Sequence, residues 1–105
     1  MKNKDRIKLI LKAMSNNENK NITIAKVNTG SYIYIATAVI IHGKFHIQVE
    51  KTDLFNTYIA STEVKATYYG VDYNNHNGRL TIPMSLVIKI NEFYKQLMIS
   101  SQSKV

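Results

Sequence analysis

Three runs rich in Ile, Val, Thr, Tyr and Phe follow one another almost without interruption: Ile22 to Val27, Ser31 to Ile41 and Lys44 to Glu50. Only Asn28-Thr29-Gly30 and His42-Gly43 separate them. β-branched and aromatic residues suit a pleated, half-buried surface. Gly-containing gaps of two or three residues between such runs are hairpin turns. The expectation is a three-stranded antiparallel meander. If His42-Gly43 is a two-residue turn, Phe45, Ile47 and Val49 share one face with Ile40, Ala38 and Ala36. His46, Gln48 and Glu50 then share the other with Val39, Thr37 and Ile35, because side chains alternate with period two. The middle run is apolar on both faces and should be central. Its small Ala36 and Ala38 leave room for a helix to lie close. The second face is expected to be partly open, carrying His46, Gln48 and Glu50.

The flanks carry the helical period. Asn3 or Asp5 can cap a helix running to about Met14, with Ile7, Ile10, Leu11 and Met14 on one face and Lys4, Lys8 and Lys12 on another. Ser15 to Asn21 is a polar linker. Near the other end, Pro83 suits the first turn of a helix. That helix is expected from about Met84 to Ile99, with Leu86, Ile90, Phe93 and Leu97 on its face. Between them, Thr52 or Asp53 could cap one helical turn carrying Leu54, Phe55 and Tyr58. Glu63 to Tyr69, continuing to Tyr73, reads as a fourth strand. Asn74 to Gly78 reads as a turn, and Arg79 to Ile82 as a short last strand. The fold class expected is α+β: an antiparallel meander of four to five strands with an N-terminal and a C-terminal helix packed on one face. Residues 1–105 form a single domain, with 1–3 and 100–105 frayed.

Composition narrows the function. With no Cys, disulfides, thiolate metal sites and Cys nucleophiles are excluded. No leader-like N-terminal run and no stretch of about 18 apolar residues is present, so the chain is read as soluble and cytoplasmic, with no membrane partner. Isolated glycines offer no phosphate loop, the serines lack an elbow context, and His42, His46 and His76 do not converge with a carboxylate. A non-enzymatic protein with no metal or cofactor is expected. Heavy use of Lys, Asn and Ile resembles the coding bias of AT-rich genomes, such as low-GC bacteria and their phages and plasmids.

The surplus charge of +7 is not spread evenly. Residues 1–26 carry seven basic side chains against Asp5 and Glu18, residues 27–78 carry three against four acidic ones, and residues 79–105 carry four against Glu92. Clustered positive charge attracts polyanions and acidic surfaces. The candidate nucleic-acid-contacting residues are Lys4, Arg6, Lys8, Lys12, Lys20, Arg79 and Lys89. The candidate stacking or interface residues are Tyr32, Tyr34, Tyr68, Tyr69 and Tyr73, because aromatics on a sheet face can stack single-stranded bases and Tyr suits interfaces. The segment Gly78-Arg79-Leu80-Thr81-Ile82-Pro83 resembles the glycine-arginine-aliphatic-x-aliphatic-proline motif of AbrB-like swapped-hairpin DNA-binding domains. In that family a short helix and a second strand pair follow, whereas a long helix follows here. The resemblance implies that Arg79 contacts DNA.

Two partner classes follow. One is nucleic acid, making the chain a binding accessory or regulatory protein. The other is an acidic protein surface, making it a phage- or plasmid-encoded interaction module that inhibits a host protein. A homodimer is a further possibility, because the second sheet face needs a cover, either residues 51–61 or another subunit.

Overall fold

The computed structural model describes residues 2–67, 70–72 and 80–102. Helix α1 (Asn3–Ser15) leads into a meander of β1 (Lys20–Asn28), β2 (Ile33–Ile41), β3 (Lys44–Thr52), β4 (Tyr58–Thr67) and β5 (Gly70–Asp72), followed by α2 (Met84–Gln102). The five strands form one antiparallel sheet in the order β1-β2-β3-β4-β5. The expected α+β architecture is the one found.

The β2–β3 register is the one a two-residue turn dictates: Ile40 pairs with Phe45, Ala38 with Ile47 and Ala36 with Val49. His42 and Gly43 both take positive φ, 50° and 78°, as this tight hairpin demands. Gly43 is required for a second reason. A Cβ there would lie 2.9 Å from the Met14 carbonyl oxygen. The hairpin tip is pressed against the end of α1, where the Gly43 N–H donates to the Glu18 carbonyl (3.2 Å) and the His42 N–H to the Asn19 side chain (2.7 Å). The helix end itself is closed by Glu18 N–H to the Ala13 carbonyl (2.9 Å) and Asn17 N–H to the Met14 carbonyl (3.3 Å), with Asn17 at φ 58°. That is a Schellman termination using Asn in place of Gly.

Both helices cover the sheet face carrying Ala36, Ala38, Ile40, Ile47 and Val49, and they touch each other. Helix α2 contributes Leu86, Ile90, Phe93 and Leu97 to the core, together with Val87. Its Tyr94 ring lies 6.5 Å from that of Phe45. Helix α1 buries Ile7, Ile10 and Ala13. The apolar face is therefore centred on Ala13 at its C-terminal end, and Met14, expected inside, is exposed. The hairpin tip lies against the Met14 carbonyl and Asn17 at this end of the helix. Lys2, not Asn3 or Asp5, is the cap residue and makes no side-chain cap bond; Asn3 instead accepts a hydrogen bond from Arg6 (2.9 Å).

The structure corrects four further expectations. No helical turn occupies residues 51–61. The Asp53 carboxylate accepts hydrogen bonds from the N–H groups of Phe55 (2.8 Å) and Thr57 (2.9 Å), Asn56 takes φ 67°, and the chain turns directly from β3 into β4. The fourth strand thus begins at Tyr58, not Glu63, and ends at Thr67; a separate β5 over Gly70–Asp72 takes the place of one continuous strand to Tyr73. Leu80 to Ile82 is not a strand, although Leu80 and Ile82 are buried in the core. Helix α2 continues through Gln102, so Ser100 to Gln102 are helical, and Asn3 likewise belongs to α1. The turn expected at Asn74 to Gly78 lies outside the described residues.

A β-bulge between Thr23 and Ala25 in β1 went unanticipated. It inserts one residue and so shifts the inward-facing set. Ile22 and Ile24 are buried before the shift, while Ala25 and Val27 pack against the core after it.

Candidate nucleic-acid interface

Three lysines four residues apart lie in one row along a helix, because four residues make slightly more than one turn. Lys4, Lys8 and Lys12 do so on α1, and all three are exposed. The buried residues Ile7, Ile10 and Ala13 lie at angular positions opposite that row, so the stripe faces away from the sheet. Successive lysines are about 6 Å apart along the axis. That is close to the ~6.8 Å axial separation of every second phosphate on one DNA strand. Arg6 sits on the flank, half-buried and bonded to Asn3. Asp5 lies in the first turn and Lys12 in the last, each at the helix end whose dipole favours its charge.

Lys20, the first residue of β1, is exposed just beyond the linker that closes α1. Lys89 and Lys95 are exposed on α2. Because α1 and α2 are neighbours on one sheet face, Lys4, Arg6, Lys8, Lys12, Lys89 and Lys95 belong to a single layer in which only Asp5 and Glu92 are acidic. Among the described residues, none of these cations has a carboxylate within ion-pair distance; the Glu63 carboxylate lies 2.9 Å from the His46 ring on the opposite sheet face. Arg79 lies outside the described residues.

The tyrosines divide. Tyr68, Tyr69 and Tyr73 also lie outside the described residues. Tyr34 is 6% exposed and is part of the core, so its ring offers little surface to a base. Tyr32 is exposed, but the Lys51 ammonium sits 4.0 Å from its ring centre and 5.8 Å from that of Tyr34. The two rings clasp an internal cation, a contact that contributes about 0.5–1 kcal/mol at an exposed site.

Sequence reasoning missed two features. The His46–Glu63 pair joins β3 to β4 across the outer face, beside a shallow cavity of about 390 Å³ lined by Val39, Ile41, Gln48 and Ser61. The second is the β3–β4 turn, where Phe55 is 88% exposed and Leu54, Tyr58 and Ile59 are exposed beside it. The signal for that turn was present: Asp and Asn spaced three apart between two β-rich runs are turn formers. Among the described residues, no three His, Asp or Glu side chains group closely enough to hold a metal ion, and no helix is long and apolar enough to cross a membrane. The chain matches no family model, no curated protein and no solved structure.

Proposed function

We propose that this chain is a non-enzymatic binding protein that engages nucleic acid through its helical layer, acting as an accessory or regulatory factor. The observation that carries the reading is the lysine row on α1, without a carboxylate partner among the described residues and set beside the cations of α2 with almost no acidic side chain among them. Cations left without carboxylate partners are free to displace counterions from phosphates, and each contact steepens the dependence of log K on log salt by about 0.9. The open arrangement favours backbone contact over base reading. A straight row of lysines on a helix surface tracks phosphates and carries no donor–acceptor code.

The test is fluorescence anisotropy with labelled duplex and single-stranded DNA at two salt concentrations. Binding at about 50 mM salt that weakens steeply at higher salt is expected. Replacing Lys4, Lys8 and Lys12 together by Gln should flatten the salt slope by about 2.7 and leave thermal stability nearly unchanged. No binding at the lower salt by either DNA form overturns the reading.

The β3–β4 turn favours a second reading, a module that binds and inhibits another protein. A Phe held outward by a turn fixed through Asp53 resembles the rigid aromatic anchors that dominate interface energetics. Capture of one specific protein by the intact chain after nuclease treatment, lost in Phe55→Ala, supports it over the first.

A further inference from the structure

We propose that two copies of this chain associate through their outer sheet faces, about a two-fold axis running along β2. The residues of β2 that alternate with its core-facing set are Ile33, already buried within the chain, and Ile35, Thr37, Val39 and Ile41, nearly all aliphatic on a face where an antiparallel sheet ordinarily turns polar side chains to water. Ile41 is 48% exposed, and Ile35 and Val39 are only half-buried. Residues 51–61, expected as the chain's own cover, form the end of β3, the turn and the start of β4 instead.

The flanking strands name a second copy as the occupant. Lys26 pairs with Ile35 and Ile35 with Glu50, so these three form one row across β1, β2 and β3. A two-fold rotation about the β2 direction exchanges the places of β1 and β3 without changing height along the strands. It sets Lys26 of each copy opposite Glu50 of the other, on either side of an apolar stripe that meets itself. An isologous contact needs this kind of self-complementary patch, with an apolar centre and a polar rim. Overlapping nine-residue strands β1, β2 and β3 give a flat footprint of about 450 Å² per copy from ordinary strand rise and spacing. The total, roughly 1,000 Å² with side-chain relief, lies near the lower bound for a specific interface, so the dimer is reversible. Aligned sheets packed about 10 Å apart accommodate the geometry.

Sedimentation equilibrium of the full chain without nucleic acid, over a concentration range centred on the micromolar, tests the proposal and is independent of DNA binding. The mass should rise from the 12.0 kDa monomer toward twice that value. Lys26→Glu and Glu50→Lys should each weaken association at least tenfold, and the two together should restore it. Val39→Lys should abolish it, with circular dichroism confirming that the sheet persists. A monomer at every concentration overturns the proposal. So does a dimer indifferent to Val39→Lys and to the charge exchange, because it would use another surface.

Discussion

Strand β2 presents two faces of similar polarity and opposite fate. Tyr34, Ala36, Ala38 and Ile40 are buried beneath the helices, whereas on the other face, beyond the buried Ile33 at the strand's start, Ile35, Thr37 and Val39 are half-buried and Ile41 is exposed. Hydrophobicity does not separate the two sets. Size does: two alanines at the centre of the inner face let helices settle close to the backbone, and the larger side chains of Ile22, Ile24, Ile47 and Val49 fill the space around them. The outer face has bulkier residues at its centre and lacks that hollow. The helices therefore pack on the face they can approach, and the other face carries no helix among the described residues.

Three experiments can break or sharpen this contrast. Phe93→Ala empties the fully buried space between α2 and the sheet and should cost about 3–5 kcal/mol by urea unfolding. Val39→Ala on the outer face should cost well under half of that in the monomer; equal losses would mean that the two faces are not distinct. Ala38→Val forces extra volume under the helices and should cost about 1–3 kcal/mol. Thr37→Val, one residue away but facing outward, should change monomer stability by no more than about 0.5 kcal/mol. Gly43→Ala places a side chain at φ 78° against the Met14 carbonyl and should lower stability by about 1–2 kcal/mol for the backbone alone. A neutral outcome would show that the hairpin tip does not bear on α1.

What the sequence made legible follows from how local each determinant is. The β2–β3 register was readable because a two-residue turn fixes it, and the core face of α2 because four large apolar residues repeat at helical spacing. The lysine row was legible for the same reason. The β3–β4 turn was not, since an Asp that accepts backbone N–H groups two and four residues on can begin a helix or close a hairpin equally well; pairing of Tyr58 with Thr52 across the sheet decides it. With the start of β4 misplaced, the His46–Glu63 pair could not be foreseen. The bulge near Ile24 left no mark because Ile, Thr and Ala suit either inward register. Ala13 takes the place in the core that the helical spacing offered to Met14, at the helix end against which the Gly43 turn packs about thirty positions further along the chain, a contact beyond the reach of periodicity.

The sheet order β1-β2-β3-β4-β5 carries a kinetic consequence. Every strand pairs only with its sequence neighbours, so the sheet closes through a series of short loops, each formed within microseconds. The layer that seals it is split between the first element of the chain and α2. During synthesis the meander has its strands and α1 in hand well before Leu86, Ile90, Phe93 and Leu97 emerge. Until then Ile47 and Val49 face water, and the nascent chain has the exposed apolar surface that chaperones recognise. The core is thus complete only once α2, the last of the described elements, has joined it.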